Sequence, residues 1–394
     1  MHILEGNWNY PNQIISGAGR LAELATQCQE KGFEHPLIVT DPGLSSLPIC
    51  DELKQTLERA NIKFDVYDQV SANPNQEDVC RGVEQFKRSK HDSVIAFGGG
   101  SALDAAKAIA LMVGQELPIW EFEDVGDNWC KVKEEGVAPV IAIPTTAGTG
   151  SEVGRASVIT DSEKHLKKII FHPKMLPVLV ILDPNVTTGL PAKITAATGL
   201  DALSHCLEAF CSPSYHPMAE GIALEGMRLI KENLQLAYEN GDNLEARMHM
   251  LVASSMGAAA FQKGLGAMHA IAHSIGATYG AHHGLLNAIL MPYVLEENYS
   301  EIKTKLGRAA RYLDLDGGSA DSFISWVHQL RADLGIPRTL DEIGINLGDV
   351  QKLAAMSVED PSAGGNPIQL SSADYARLIG NAIQGVNETP GEGA

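Results

Sequence analysis

Four of the chain's 13 histidines fall in one sixteen-residue stretch, HAIAHSIGATYGAHHG, from His269 to Gly284. The rest of that stretch is mainly Ala, Ile, Gly and Ser. Each neutral imidazole carries a donor and an acceptor, and both need partners when buried. A core helix therefore has no use for so many. His269 and His273 are four apart and share one helical face. His283 lies beyond Gly280, where the chain can turn and bring it back. Upstream, TGLDALSHCLEAF sets Asp201 and His205 four apart on a second helix. Two such helices facing each other would offer one carboxylate and two or three imidazoles to one cation. Nitrogen and oxygen ligands without thiolate suit Zn²⁺ or Fe²⁺. The competing readings are plainer: His282 as a solvated neighbour, and Asp201 as a carboxylate serving a helix N-terminus.

A second group of residues suits a nucleotide. IAFGGGSALDAAKAIA reads as strand, glycines, helix. Gly98, Gly99 and Gly100 let the backbone turn sharply and approach a ligand. Ser101 can cap the helix, and the free N–H groups of that helix start suit a diphosphate. VIAIPTTAGTGSEV ends another strand and sets Thr145, Thr146, Gly148, Thr149 and Gly150 at the sheet's carboxyl edge. Ligands of open parallel sheets bind at that edge. Two such loops on one sheet point to a dinucleotide. In IVTDPG, Asp41 closes an early strand. A carboxylate there can accept hydrogen bonds from ribose hydroxyls and would repel a 2′-phosphate, which favours NAD over NADP. A turn aspartate before Pro42 is the alternative.

These residues need elements to hold them. HPLIVTD, KFDVYDQV, DSVIAFGGG, APVIAIPTT and PVLVILDP read as strands. Amphipathic stretches at Leu44–Ala60 and Gln76–Ser89 lie between them. That alternation predicts a mainly parallel sheet covered on both faces. Glu121–Gly136 reads as an exposed excursion. From Lys193 onward the chain reads as helix after helix: Ile194–Phe210, Ala219–Glu239, Leu244–Ala260 and Met268–Tyr279. We therefore expect an α/β domain over 1–188 and an all-helical domain over 189–394, with NETPGEGA as a disordered tail.

Composition narrows the class. The 394 residues suffice for two domains. A formal charge of −19 argues against nucleic acid and anionic membrane as partners. None of the six cysteines forms a C-x-x-C pair, which disfavours a zinc ribbon or redox pair. MHILEGNWNYPNQ lacks the basic and apolar regions of a signal peptide, and no window is apolar enough to span a membrane. A cytoplasmic enzyme is the expectation.

Taken in order, GGGSALDAAK, IPTTAGTGSEV, KKIIFHPKMLPVLVILDP, TGLDALSHCLEAF and GLGAMHAIAHSIGATYGAHHGLLNAILMPYV resemble the iron-containing (group III) alcohol dehydrogenases. The resemblance extends to GIPRTLDEIGI and GGNP and covers nearly the whole chain. It implies the dehydroquinate synthase-like architecture, with a dinucleotide-binding α/β domain, a helical domain and an active site in the cleft between them. It also implies Asp201, His205, His269 and His283 as metal ligands, with His273 a non-ligand neighbour of the nicotinamide. Asn73 would approach the cofactor. Gly99, Gly100 and Ser101 would hold the diphosphate. Thr145, Thr146 and Thr149 would line the nicotinamide half, and Lys168 would contact a ribose. Asp104 and Lys107 fit the pattern as loop and helix support. A homo-oligomer, dimeric or larger, is implied too.

Two departures bear on the substrate pocket. Where many relatives carry F-S-x-x-G with an aromatic near the nicotinamide, AAAFQKGLG leaves Ala260, so the pocket is wider unless Phe261 turns in. Where relatives often have Thr, Gly154 follows GTGSEV. The function implied is NAD-linked hydride transfer to or from a metal-bound primary alcohol or aldehyde, with His273 as a proton relay because an imidazole titrates near neutrality. The alternatives are a lyase of the dehydroquinate synthase type and a metal-dependent hydrolase.

Overall fold

The computed structural model describes residues 6–8, 12–164 and 166–386. The NETPGEGA tail, and most of the N-terminal stretch read above, lie outside the described residues. The chain divides into two compact units: Met1–Gly189 with Asp242–Leu251, and Leu190–Gly241 with Val252–Ala394.

The strands of the first unit are β1 Gly6–Trp8, β2 Ile14–Ser16, β3 Pro36–Val39, β4 Asp65–Tyr67, β5 Ser93–Gly98, β6 Val140–Pro144, β7 Ala156–Asp161, β8 Leu166–Phe171 and β9 Leu179–Leu182. Seven of them form one sheet in the order β1-β2-β9-β6-β5-β3-β4. Only the β1–β2 pair is antiparallel. The helices are α1 Leu24–Lys31, α2 Pro42–Ser45, α3 Pro48–Arg59, α4 Gln76–Ser89 and α5 Gly100–Met112.

Period-two alternation sorts the strand side chains between two cores. Leu37, Val39, Val94, Ala96, Val140 and Ala142 face α4 and α5. Ile38, Ile95, Phe97, Ile141, Ile143 and Ile181 pack with α1 and α3 on the other face. Burial on both faces is why these strands read as continuous apolar runs. The α3 stripe Cys50, Leu53 and Leu57 follows helical spacing. The expected helix over Leu44–Ala60 is broken at Ser46–Leu47, because Pro48 starts α3 and holds Leu47 extended. The β7–β8 hairpin was not among the expected strands. Its second strand, LKKIIF, has no clean alternation to signal it.

The order places β5 beside β3 after the chain has gone out to β4. The sheet therefore switches direction between β3 and β5, and a doubly wound sheet opens its ligand crevice at the carboxyl ends of such a pair. Asp41 and Gly98–Ser101 follow directly on those two strands.

Among the described residues the second unit is helical without strands: α6 Ala192–Cys211, α7 Pro217–Glu239, the later part of α8 Leu244–Ala260, α9 Ala267–Tyr279, α10 His283–Glu297, α11 Tyr299–Tyr312, α12 Ala320–Asp333, α13 Val350–Glu359 and α14 Ser372–Gln384. The α/β unit followed by a helical unit is the architecture expected. α6 is its central rod: every residue from Thr195 to Cys211 is buried. A helix buried all round must satisfy its polar side chains internally, and α6 carries Asp201, His205 and Glu208.

Candidate active site

The helical unit gathers four of the proposed ligands. Asp201 and His205 lie one turn apart on α6, His269 is on α9, and His283 opens α10. One ligand atom from each falls within 4.8 Å of all the others. Asp201 lies mid-helix, so it does not serve a helix N-terminus. Gly284 makes the approach of α10 possible. A Cβ there would stand 2.5 Å from the Ala197 carbonyl oxygen and 3.0 Å from the Asp201 Cβ.

The imidazoles are aimed by partners outside the quartet. Glu208, on the Asp201–His205 stripe, accepts from the Gly266 and Met268 N–H groups and from His269 Nδ1 at 2.7 Å. That fixes the His269 tautomer, so its Nε2 lone pair points into the cluster. Burial works against protonating His269. The Glu208 charge and hydrogen bond, backed by Asp201 and Asp360, outweigh it and hold the pKa above the ordinary imidazole value. Asn287 Nδ2 stands 2.8 Å from Asp201 Oδ1, 3.2 Å from His269 Nε2 and 3.1 Å from His283 Nε2. Three polar atoms converge on this one amide nitrogen. One carboxylate and three imidazoles gathered at a point are the donor chemistry a divalent cation fits.

His273 stands beside the quartet. Its ring stacks on that of His283 at 5.2 Å, and its Nδ1 meets Asp360 Oδ2 at 3.0 Å. Burial alone would raise the Asp360 pKa, but His273 and the Ser362 N–H and hydroxyl hold it below the usual carboxylate value. At the departure from the family pattern, Ala260 is buried and the Phe261 ring lies 5.2 Å from that of His205.

The first unit's residues meet at the sheet's carboxyl edge. Gly98 takes a φ of 153°, which favours glycine. A Cβ there would come within 3.7 Å of Asp41 Oδ2. Cβ atoms on Gly99 and Gly100 would meet Thr146 Oγ1 at 3.3 Å and Thr149 Cβ at 2.8 Å. The Thr145 N–H donates to the Gly98 carbonyl, tying the two loops together. The result is a backbone-lined cradle floored by threonines, open to the uncapped start of α5. Ser101 does not cap that helix, contrary to expectation. Gly99 holds the N-cap position, and the Ser101 hydroxyl donates to the Ala72 carbonyl at 2.6 Å, steadying the loop that carries Asn73. Asp41 caps α2 through Oδ1, which accepts from the Leu44 N–H. Lys168 stands apart on β8. Its ammonium pairs with Glu123 at 2.8 Å and lies over the Trp120 ring. Asp104 and the buried Lys107 bind the Ser151–Val158 segment: Asp104 accepts from Ser151 and Val158, and Lys107 donates to the carbonyls of Ser151, Gly154 and Ala156.

Residues 11–184 match the family described as iron-containing alcohol dehydrogenase, and residues 195–383 match its C-terminal domain. The chain belongs to the iron-containing alcohol dehydrogenase family. It is 35% identical over 371 residues to "Alcohol dehydrogenase 4" of Saccharomyces cerevisiae, covering 93% of this chain and 96% of that one. It is 34% identical over 385 residues to "NAD-dependent methanol dehydrogenase" of Bacillus methanolicus, covering 96% and 100%. Among solved structures it is similar to a 1,3-propanediol oxidoreductase, with a TM-score of 0.90 at 32% identity, covering 97% of this chain and 100% of that one. The protein is an oxidoreductase acting on alcohols, and the lyase and hydrolase alternatives are not favoured. Among the described residues no helix is long and apolar enough to cross a membrane.

Sequence reasoning about this alcohol dehydrogenase missed three residues of the helical cluster. Glu208 had a signal, because Asp201, His205 and Glu208 run at i, i+4 and i+7 on one stripe. Asn287 had one as well, four residues after His283. Asp360 had none: it is 87 residues from His273, and only the fold joins them.

Proposed function

We propose that this alcohol dehydrogenase interconverts small primary alcohols and aldehydes using NAD⁺ and NADH. In this reading Asp201, His205, His269 and His283 hold a divalent cation, Fe²⁺ or Zn²⁺. The observation that carries it is the quartet itself, four ligand atoms within 4.8 Å of one another, with the Asn287 amide nitrogen meeting three of the four residues. When bound, such a cation supplies Lewis-acid polarisation of a C–O bond, and a nicotinamide supplies the hydride acceptor.

The chain's own residues do the rest. Glu208 keeps the His269 Nε2 lone pair directed inward, as outer partners of metal-binding imidazoles do. Asp360 keeps the proton of His273 on Nδ1, which leaves Nε2 to accept and pass on the alcohol's proton. Phe261 narrows the space that Ala260 leaves, which favours short substrates. The cradle at Gly99, Gly100, Thr146 and Thr149 would take the diphosphate, with Asn73, Ser101 and Thr145 around it. Asp41 Oδ2 would take ribose hydroxyls, the basis for preferring NAD. Lys168 would contact a ribose only after releasing Glu123. All six cysteines are free, which suits the reducing cytoplasm we infer for it. A homo-oligomer is our reading of its assembly, and light scattering tests it.

The deciding assay follows NADH oxidation by short aldehydes, anaerobically, on metal-stripped protein and after adding Fe²⁺ or Zn²⁺. Restoration by one of them names the metal. Tight NADH binding without turnover under any metal would overturn the substrate class. In the His273→Ala variant, turnover should fall while bound metal stays level; loss of metal would make His273 a ligand instead.

A further inference from the structure

We propose that His35, Asp65 and His91 form a second metal site, separate from the helical cluster, for a borderline divalent ion such as Zn²⁺. It lies at the amino edge of the first unit's sheet, opposite the glycine loops. His35 directly precedes β3, Asp65 opens β4, and His91 stands two residues before β5. These strands are neighbours in the order β4-β3-β5, so hydrogen-bond register brings the three residues together. One ligand atom from each lies within 4.8 Å of the others.

The geometry at His91 points to a cation. Its Nδ1 lies 2.9 Å from the His35 carbonyl oxygen. A carbonyl only accepts, so Nδ1 carries the proton, and in the neutral ring Nε2 is a lone pair. That nitrogen is buried and stands 3.2 Å from Asp65 Oδ2. Two electron-rich atoms facing each other at that distance repel unless something positive joins them. Two ligands on Zn²⁺ bonds of ~2.0–2.1 Å at the tetrahedral angle stand about 3.3 Å apart, so the spacing already fits one edge of a coordination tetrahedron. A proton on Nε2 is the competing answer, and crystals equilibrated with Zn²⁺ decide between the two; the rings of His35 and Phe86 pack 4.2 Å and 5.6 Å from that of His91.

The surroundings resemble a built site. Asp92 Oδ2 accepts from the N–H groups of Glu34 and His35 at 2.7 and 2.9 Å, fixing the backbone that carries one ligand and holds another. The Asp65 side chain is 44% exposed, so the ion has a way in and water can complete its coordination. Two imidazoles and a carboxylate without thiolate select a borderline ion over Mg²⁺ or Ca²⁺. An ion there would clip three strand starts together and stabilise the folded state by binding it alone.

The test is Zn²⁺ binding to the full-length enzyme, read three ways. In crystals equilibrated with Zn²⁺, anomalous scattering should show a peak ~2.0–2.1 Å from His91 Nε2. In competition with a chromophoric chelator, wild type should bind one more ion per chain than His35→Ala or Asp65→Asn. Added Zn²⁺ should raise the wild-type Tm beyond that of either variant, while alcohol turnover is the same in all three. No peak at His91, or equal ion counts in wild type and both variants, would overturn the site. If a variant fails to fold, the wild-type crystal decides alone. Because turnover belongs to the other cluster, failure here leaves the proposed function untouched.

Discussion

The first unit builds its candidate site by leaving side chains out, and the second builds its site by putting them in. At the sheet edge the working parts are backbone N–H groups, glycines and the threonines under them. In the helical unit they are one carboxylate, three imidazoles and the partners that aim them. The difference follows from the ligands proposed. A diphosphate is large and needs close approach of backbone donors. A cation is a point and needs lone pairs converging on it. A site made of space should break when an atom is added, and a site made of ligands should break when atoms are removed.

The largest expected effect is on the ligand side. His269→Ala removes a ligand and takes from buried Glu208 its imidazole partner, leaving the Gly266 and Met268 N–H groups. Lewis-acid stabilisation is worth several kcal/mol and each 1.36 kcal/mol is tenfold, so kcat/KM should fall by at least about 10³. Bound metal, read by mass spectrometry, should fall with it, while NADH binding persists. Turnover within tenfold of wild type would remove His269 from the ligand set. The mirror experiment adds a methyl. In Gly100→Ala the new Cβ would lie 2.8 Å from Thr149 Cβ. Such overpacking costs about 1–3 kcal/mol of stability, and because it displaces Thr149 from the cradle floor, NADH affinity, read by fluorescence titration, should weaken with metal content unchanged. An unaltered affinity would show that the cradle is not where the cofactor lies.

The same contrast explains what was legible in the sequence. Glycine loops after apolar strands are local, so the sheet edge could be read from IAFGGGSALDAAK and IPTTAGTGSEV. The i, i+4 pairs Asp201/His205 and His269/His273 are local too, and they located the helical site. Spacing alone could not choose between His273 and His283, because His283 reaches the cluster only through the tertiary packing of α10 on α6 at Gly284. What stayed hidden was long-range: Asp360 reaching His273, Glu208 reaching His269, and the Ser101 hydroxyl turning away from its helix to Ala72. The β7–β8 hairpin stayed hidden for another reason: β8 lacks an alternation of its own, and pairing with β7 makes it a strand.

The two sites should also differ in how charge matters. Glu208→Gln keeps shape but removes the charge behind His269. Outer-partner losses of this kind cost 10–100-fold in metal affinity, so the variant should lose metal to a chelator at concentrations the wild type resists. Equal retention would mean that Glu208 serves only the Gly266 and Met268 N–H groups. At the sheet edge, Asp41→Asn keeps an oxygen to cap α2 and removes the repulsion of a 2′-phosphate. The preference for NADH over NADPH should shrink by about fivefold, the scale of one solvent-accessible charge interaction of ~1 kcal/mol. An unchanged ratio would move the source of discrimination away from Asp41.

The smallest effect compares the units by their thiols. Both cysteines of the helical unit, Cys206 and Cys211, are buried, and burial pushes each thiol up to about 12. Cys28 in the first unit is pushed to about the same value, and Cys50 is also raised. Cys80 and Cys130 are exposed. The thiolate is the nucleophile, and at pH 8 a thiol of pKa 12 is ionised in only about one molecule in 10⁴. Iodoacetamide on the native enzyme should therefore label Cys80 and Cys130 alone, and all six cysteines after unfolding. Reaction confined to the first unit fits a tight α6–α7–α8 contact, where a Cβ on Gly226 would stand 2.7 Å from the Cys206 sulfur. Because Cys206 adjoins His205, its labelling in the native state would mean that α6 opens at the quartet, and the rigid placement of Asp201 and His205 would have to be given up.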